Sequence, residues 1–271
     1  MVEVKEIPCK TVLSRSKIYG VDYAINPYVG CMHGCRYCYA RFMAKFHNRG
    51  PSEWGSFVYV KINAPRVLMK DLRSAKRGIV LLSSVTDPYQ PIEEKYGITR
   101  TILEILARKN FPVSILTKSS LVVRDVDVLK RFNEVEVGFT IVTLDERVRM
   151  VFEPGAAPVS KRLDALKTLS DENIPTYVFF GPVLPFLSDH DLEDFVKTMK
   201  DVGVREIMVD KLRIKYGNWE TIASSLRDHY PHLLEKYRRI LFGDDREYFG
   251  NLKKKISLLC QKYGIMCDFC Y

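Results

Sequence analysis

Residues 26–40 read Asn-Pro-Tyr-Val-Gly-Cys-Met-His-Gly-Cys-Arg-Tyr-Cys-Tyr-Ala, which places Cys31, Cys35 and Cys38 in one short loop. Three thiolates in such a loop can ligate three corners of a four-iron cluster and leave the fourth iron without a protein ligand. An iron with an open position binds an exchangeable ligand, as a catalytic metal site must. The spacing therefore predicts a catalytic [4Fe-4S] site held by these three cysteines.

A zinc knuckle or a redox-inert cysteine loop is the alternative interpretation of this segment. A structural zinc site needs four ligands, and His33 cannot easily join its immediate neighbours because the short spacing already strains the loop. Gly30 and Gly34 allow the backbone the tight conformations that a loop around a cluster requires. The cluster is the interpretation that we carry forward.

Around this loop, apolar β-branched runs alternate with helical patterns from near residue 20 to near residue 210. This alternation is typical of successive βα units with a parallel sheet. The predicted strands cover residues 22–29, 79–83, 113–117, 135–142, 176–183 and 206–210, and amphipathic helices are predicted at residues 99–109 and 160–170. Because crossover connections are right-handed, about six such units should curl into an open, three-quarter version of the eight-stranded barrel. Reactive groups are then expected at the C-terminal ends of the strands.

The chain divides into three predicted regions, an N-terminal extension (1–20), a partial (βα)6 barrel (21–210) and a helical C-terminal cap (211–271). The cap shows helical patterns at residues 219–228, 232–242 and 246–263, and we predict no further strand there. The N-terminus carries acids and lacks an apolar segment, so we expect no secretory signal, no membrane association and a cytoplasmic location.

The composition is that of an ordinary globular protein, with 46% hydrophobic and 28% charged residues. The net charge of +9 would suit a nucleic-acid partner, because Lys and Arg neutralise phosphates. However, most basic residues are interspersed with acids, and the tight run at residues 253–255 is interpreted as the solvated face of a helix. On charge alone, solvated surface residues are therefore the favoured interpretation, and nucleic acid stays a substrate class to test.

The pattern C-x3-C-x2-C, with an aromatic residue before its last cysteine, resembles the hallmark of radical S-adenosylmethionine (SAM) enzymes. The wider sequence is similar to the branch related to spore photoproduct lyase. The segments that carry this second resemblance are 26–28 (Asn-Pro-Tyr), 38–41 (Cys-Tyr-Ala-Arg), 83–90 (Ser-Ser-Val-Thr-Asp-Pro-Tyr-Gln), 116–119 (Leu-Thr-Lys-Ser) and 139–141 (Phe-Thr-Ile). The resemblance implies that SAM chelates the open iron and that reductive cleavage gives a 5′-deoxyadenosyl radical, which abstracts a substrate hydrogen. It also implies an external electron donor of the flavodoxin or ferredoxin type.

The same resemblance implies roles for residues near the strand ends. Thr86 and Asp87 would contact the methionine moiety or ribose of SAM, with a turn cap as the alternative. Lys118 would face the carboxylate of SAM through a charge-assisted hydrogen bond. Thr140 lies within the fourth predicted strand, and we expect its side chain to contact the cofactor as well. Ser84 is included with these residues, although it stands where spore photoproduct lyase has a hydrogen-donating cysteine. A serine O–H bond is too strong for that role, so thymine-dimer repair by that route is not expected.

Two further pairs of residues have alternative interpretations. Tyr37 and Tyr39 match places that are linked to radical transfer in spore photoproduct lyase, but either can equally pack around the cluster. For Glu153 and Arg162 we expect a surface ion pair, with a salt contact to the cofactor as the alternative.

The remaining cysteines are Cys9, Cys260, Cys267 and Cys270. A C-x2-C pair commonly offers two thiolates to one metal, so we predict a second site, an auxiliary iron-sulfur cluster or zinc, with Cys9 folding back as a fourth ligand. Two alternatives stay open: the tail cysteines are small buried residues, or one of them enters the active site as the hydrogen donor that Ser84 cannot be.

Three functions compete at this point. The leading one is a radical SAM enzyme with an unknown substrate. The second is a non-enzymatic iron-sulfur or zinc protein that binds nucleic acid or a protein partner. The third, an electron-transfer module, would need a cluster with four cysteine ligands, which the first loop does not supply by itself.

Overall fold

The computed structural model describes residues 2–244 and 246–271. The strands are β1 (Glu3–Ile7), β2 (Leu13–Arg15), β3 (Tyr23–Ile25), β4 (Tyr28–Val29), β5 (Phe57–Lys61), β6 (Val80–Leu82), β7 (Val113–Thr117), β8 (Val135–Thr140), β9 (Thr176–Val183), β10 (Glu206–Lys211) and β11 (Met266–Phe269). The α-helices are α1 (Ala64–Asp71), α2 (Glu93–Tyr96), α3 (Ile98–Arg108), α4 (Val126–Leu129), α5 (Glu146–Phe152), α6 (Val159–Asp171), α7 (Leu192–Asp201), α8 (Asn218–His229), α9 (Leu234–Phe242) and α10 (Arg246–Tyr263). Single 3-10 helices cover Tyr39–His47, Pro51–Glu53, Ser120–Asp125 and Pro231–Leu233.

The main sheet has eight strands in the order β11-β10-β9-β8-β7-β6-β3-β2. Neighbouring strands are parallel from β3 to β11, and β2 joins β3 in the antiparallel sense. Within the described residues the edge strands β2 and β11 do not pair with each other, so the sheet is an open partial barrel. The predicted α/β fold class is thereby confirmed.

The strand register separates two sets of side chains. One set is completely buried against the helices and comprises Ile115, Val137, Val178 and Ile207. These residues share a hydrophobic core with α3, α6 and α7, whose apolar residues recur at helical spacing. The alternate positions face the inside of the barrel, because side chains alternate along a strand. They include Leu116, Thr140, Phe179 and Met208.

The predicted strand at residues 22–29 is divided into β3 and β4, which lie in different sheets. Pro27 separates them, and proline has no backbone N–H to donate to a ladder. The strand β4 pairs with β5, and β5 also pairs in parallel with β1, so the N-terminal residues form part of a three-stranded sheet. The predictions did not include β5 or α1.

The prediction that no strand follows residue 211 is wrong. After α10, Gly264 adopts φ +64°, a left-handed conformation that favours glycine, and the chain turns into β11. The new strand pairs in parallel with β10, from Glu206 opposite Met266 to Val209 opposite Phe269. The helices α8, α9 and α10 thus lie between two parallel strands in the chain. The strand β11 itself is too short to show a clear alternation.

Candidate active site around the cysteine loop

The cysteine loop follows β4, with Cys31 and Cys35 buried and Cys38 partly buried. Burial, and then the negative charges of Asp87 and the other two cysteines, raise the pKa of Cys31 well above its ordinary value. Burial also raises the pKa of Cys35 to about 12 and raises that of Cys38. Metal ligands must be thiolates, and positively charged iron offsets the repulsion between them. The three thiols therefore form a donor set that favours a bound metal cluster.

The surroundings of the loop fit a [4Fe-4S] cluster better than a single ion. The indole Nε1 of Trp54 is buried, faces the Cys38 sulfur and lowers the pKa of that thiol, and it makes no hydrogen bond to an oxygen or nitrogen atom of the described residues. Such an N–H can donate to a sulfur of a cluster, where hydrogen bonds are common. The three loop cysteines, like every other set of three His, Cys, Asp or Glu side chains within residues 2–244 and 246–271, are not placed to hold one single metal ion. The zinc interpretation of the loop gains no support.

The first half of the loop is held by Gln90 and Thr86. The buried Gln90 side chain accepts a hydrogen bond from the Met32 N–H at 2.9 Å and donates to the Gly30 carbonyl at 3.3 Å. The Thr86 hydroxyl donates to the same carbonyl at 2.6 Å. The structure thus gives Thr86 a backbone partner in the loop.

The second half of the loop is held from two sides. Arg41 is completely buried and donates to the carbonyls of Cys35 and Pro51, each at 2.9 Å. From α8, Asn218 Nδ2 donates to the Tyr37 carbonyl at 3.2 Å, and the Thr221 hydroxyl donates to the Arg36 carbonyl at 2.6 Å. The C-terminal region therefore positions the loop as directly as the barrel does.

Two glycines permit this close packing. Gly30 has φ +82°, and a Cβ atom there would lie 2.3 Å from the Phe57 carbonyl oxygen. A Cβ atom on Gly155 would lie 2.2 Å from the Met32 carbonyl oxygen. Both distances are too short for any side chain, so the loop requires glycine at these positions. Gly34, at φ +58°, also adopts the conformation expected from the sequence.

Asp87 connects the cysteine loop to the end of β7. Its carboxylate accepts hydrogen bonds from Thr117 Oγ1 at 2.7 Å and from the Lys118 N–H at 2.8 Å. It also accepts from the Tyr89 N–H at 2.9 Å and lies 3.1 Å from His33 Nε2. Burial opposes the charge, but His33, Lys118 and Thr117 lower the pKa of Asp87 to about 2. With protein donors on both oxygens, Asp87 is placed to position the loop.

Lys118 is half-buried at the C-terminal end of β7, with Nζ 5.9 Å from the centre of the Tyr37 ring. Burial favours the neutral amine, yet the negative charges of Cys35, Glu153 and Asp87 raise the pKa of Lys118 above its ordinary value. Among the described residues its ammonium has no ion-pair partner within bonding distance. It remains available for an anionic group.

The expectation of a surface ion pair between Glu153 and Arg162 is wrong, because both side chains are completely buried. Arg162 Nη1 lies 2.6 Å from Glu153 Oε2 and donates to the Thr140 carbonyl at 2.9 Å. Tyr37 donates its hydroxyl hydrogen to Glu153 Oε1. Burial, followed by the Glu153 charge, raises the pKa of Tyr37 well above its ordinary value. The loop after α5 folds inward against the cysteine loop. This packing encloses the ion pair between Glu153 and Arg162.

The other predicted residues lie near the same rim. Asn26 Nδ2 donates to Ser84 Oγ at 3.1 Å, and the Ser84 N–H donates to Asn26 Oδ1 at 3.0 Å. Tyr39 is half-exposed and donates its hydroxyl hydrogen to the Ser84 carbonyl. Thr140 ends β8 and is buried on the face that lines the barrel.

The structure brings Cys260 and Cys267 together, but it does not gather all four of the other cysteines at one site. Cys9 is anchored to Asn63, with its N–H 2.8 Å from Asn63 Oδ1, next to the three-stranded sheet. Cys267 and Cys270 are three residues apart along β11 and its extension, so their thiols face opposite sides. Burial, and then the adjacent Cys267 thiol, raise the pKa of Cys260 to about 12. The second metal site thus has no support among the described residues, and Cys270 is exposed just after the end of β11.

Sequence reasoning gave no role to Arg41, Gln90, Asn218 or Thr221. These residues act through hydrogen bonds to backbone groups far away in the chain, such as the contact between Asn218 and Tyr37 across 181 positions. Neither spacing nor periodicity carries a signal of this kind. Arg41 and Gln90 stand within segments that carry the family resemblance, but no role was assigned to either.

Comparisons with known proteins agree with this geometry. A family model described as the radical SAM superfamily matches residues 25–199. An uncharacterized protein of Methanocaldococcus jannaschii is 44% identical over 190 residues, which are 69% of this chain and 70% of the relative. A radical SAM Nalpha-GlyT isomerase of Pseudomonas phage M6 is 26% identical over 197 residues, 71% of this chain and 40% of that protein.

A solved structure of spore photoproduct lyase complexed with dinucleoside spore photoproduct matches with a TM-score of 0.72 and 16% identity, covering 99% of this chain and 82% of that chain. At this identity the likeness concerns the fold. The span of the family model includes the cysteine loop together with Asp87, Lys118 and Thr140.

Proposed function

The chain belongs to the radical SAM superfamily, and from this premise we propose that it binds a [4Fe-4S] cluster through Cys31, Cys35 and Cys38 and cleaves SAM reductively. When bound, the cluster and SAM supply the chemistry of the superfamily: one electron cleaves the sulfonium to methionine and a 5′-deoxyadenosyl radical, which takes a hydrogen atom from the substrate. The observation that carries this proposal is the largely buried three-thiol loop, with the buried indole N–H of Trp54 facing the Cys38 sulfur.

We assign Lys118 to the carboxylate of SAM. Its ammonium has no ion-pair partner among the described residues and stands at the C-terminal end of a barrel strand next to the loop. A charge-assisted hydrogen bond to a carboxylate is stronger than a neutral one, and partial burial reduces competition from water. Thr140 lies on the same face of the barrel and is the next side chain along it that can contact the cofactor.

Asp87 and Thr86 act on SAM indirectly in this proposal. Both hold the cysteine loop at the rim of the barrel, and Asp87 also fixes the backbone of Lys118. On the inner face, Leu116, Phe179 and Met208 provide an apolar wall below the rim. Such a wall excludes water and competing reactions from a reactive intermediate.

The two tyrosines differ in the role that their surroundings support. Tyr37 is buried with its hydroxyl on Glu153, which favours packing and support of the loop. Tyr39 is half-exposed at the rim beside Ser84, and a role in radical transfer is assigned to it.

The substrate of the enzyme is unassigned, and nucleic acid is the first substrate class to test. The proposal includes a flavodoxin or ferredoxin as the electron donor and the cytoplasm as the location of the protein. No helix in the described part of the chain has the length and apolar character needed to span a bilayer.

The proposal is tested by anaerobic reconstitution of the protein with iron and sulfide, followed by reduction with dithionite in the presence of SAM. Wild-type protein should release 5′-deoxyadenosine, and Cys35→Ala should release none, because loss of one thiolate destabilises the cluster. Cys9→Ala, which removes a thiol outside the loop, is the matched control and should behave like wild type. Undiminished 5′-deoxyadenosine formation in Cys35→Ala would refute the assignment of the loop.

A further inference from the structure

A small surface next to the cysteine loop exposes both aromatic and basic side chains. Phe46 is 64% exposed and Tyr216 is 52% exposed, although both are large apolar residues. Lys45 lies between them, with Nζ 5.1 Å from the centre of the Phe46 ring and 5.9 Å from that of Tyr216. Lys215 adjoins Tyr216 and is exposed. We call Lys45, Phe46, Lys215 and Tyr216 the loop-flank surface.

The two segments that form this surface contain basic residues and no acids. Residues 36–49 include three arginines and one lysine, and residues 211–217 include two lysines and one arginine. Several of these charges are used internally: Arg41 is buried, Arg49 pairs with Glu3 and Glu53, and Arg213 pairs with Asp210. Lys45 and Lys215 have no ion pair within residues 2–244 and 246–271. The loop-flank surface therefore carries a positive charge that the chain does not neutralise.

Both segments adjoin the cysteine loop directly. The 3-10 helix Tyr39–His47 begins at the residue after Cys38. The other segment, residues 211–217, is followed directly by Asn218. The Asn218 side chain donates to the Tyr37 carbonyl and to the Arg213 carbonyl. A partner seated on the loop-flank surface would thus come close to the three cysteines without entering the barrel.

We propose that the loop-flank surface docks the acidic electron-carrier protein that reduces the cluster, an inference that rests on the function proposed above. Electron-transfer complexes have small interfaces, and complementary charge brings the partners together quickly. Exposed aromatic rings provide the contact area that such a small interface needs. An anionic flavodoxin hydroquinone gives up one electron and becomes the neutral semiquinone, or a reduced ferredoxin gives up one electron, and the bound cluster would accept that electron.

Single-stranded nucleic acid is the competing occupant, because basic grooves with aromatic platforms also bind it. Two observations favour the electron carrier. The exposed rings are two in number and flank a single lysine, rather than tracking along a groove. The surface is also continuous with the loop that must receive the electron, whereas a substrate must reach the inside of the barrel.

The test uses the reconstituted protein and a chemically reduced, acidic flavodoxin as the probe. Cluster reduction is followed by its visible absorbance in a stopped-flow instrument. The double variant Lys45→Glu, Lys215→Glu should lower the second-order rate constant at least about tenfold at low ionic strength, since steering by complementary charge accelerates association by this amount or more. Phe46→Ala should weaken binding of the oxidised flavodoxin to the protein in calorimetry. Lys254→Glu, an exposed lysine of α10, is the control for the change in charge and should match wild type.

The same variants separate this inference from the function on which it rests. Dithionite needs no docking surface, so it should drive equal 5′-deoxyadenosine formation in wild type and in the double variant. Absence of dithionite-driven cleavage in wild type would overturn the proposed function itself. Wild-type rates with flavodoxin in the double variant would overturn the docking surface alone. The double variant could also keep the wild-type rate with flavodoxin and lose binding of a fluorescent single-stranded oligonucleotide. That result would identify the loop-flank surface as a nucleic-acid site and would overturn the docking proposal.

Discussion

Lys118 combines an ammonium without an ion-pair partner among the described residues with a place beside the three thiols. We predict that Lys118→Ala weakens SAM binding about tenfold to a hundredfold, the effect of losing a hydrogen bond to a charged group. The iron content should not change, because Lys118 is not a ligand. An anaerobic titration with SAM measures the affinity, with Lys109→Ala as a control on an exposed lysine. Equal affinity in Lys118→Ala and wild type would remove Lys118 from the site.

Asp87 links stability to pH through its depressed pKa, which falls from 3.8 to about 2 on folding. A carboxylate of this kind stabilises the folded protein fully above the unfolded pKa, and the contribution is lost as pH falls through the folded pKa. At about 1.4 kcal/mol per pKa unit, the contribution is of the order of 2 kcal/mol. Asp87→Asn should therefore reduce the free energy of unfolding at pH 6 and flatten its decline between about pH 4 and pH 2.

Urea unfolding of the metal-free protein across this pH range measures the effect. The comparison with Asp164→Asn, an exposed carboxylate of α6, accounts for a general change in charge. Identical pH profiles for wild type and Asp87→Asn would show that the hydrogen bonds to Thr117 and Lys118 do not favour the charged form.

Among the structural elements, α8 has a function that its sequence pattern does not indicate. Its first turns carry Asn218 and Thr221, which hold the carbonyls of Tyr37 and Arg36. We predict that Asn218→Ala destabilises the protein by about 1–3 kcal/mol, because it leaves buried polar groups without partners. The loosened loop should also release iron to a chelator faster than wild type does.

Ser224→Ala, on an exposed part of α8, is the matched control and should have little effect on either measurement. Rates of iron release that are equal in Asn218→Ala and wild type would show that the loop keeps its conformation without α8. Iron release is followed by the colour of the chelate under anaerobic conditions.

The elements also show how far the sequence could predict this fold. The bounds predicted for β7 and β9 match the structure, because long β-branched runs bury both faces of a parallel strand. The predictions omit β5 and β11 and merge β4 with β3, since the pairing of these strands depends on partners distant in the chain. The three cysteines could be found from spacing alone. The buried Glu153–Arg162 pair could not, because polar residues give no local signal of burial.

At the scale of the whole molecule, strands near both ends of the described chain are tied into sheets. The N-terminal β1 joins β5, and the C-terminal β11 joins β10, so the two termini are attached to different sheets. Cys9 and the tail cysteines are kept apart by this arrangement. The two ends of the described chain therefore lie in different sheets.

Because of this arrangement, the metal content per chain distinguishes a protein with one metal centre from a protein with two. A single [4Fe-4S] cluster corresponds to about four irons per chain, and the double variant Cys267→Ala, Cys270→Ala should retain them all. The physical reason is that the two thiols face opposite sides of one strand, so they cannot bind one ion without unpairing β11 from β10. Iron and zinc analysis of fully reconstituted protein measures both metals at once. About eight irons, or about four with one zinc, falling by one site in the double variant, would mean that β11 rearranges to form a second centre.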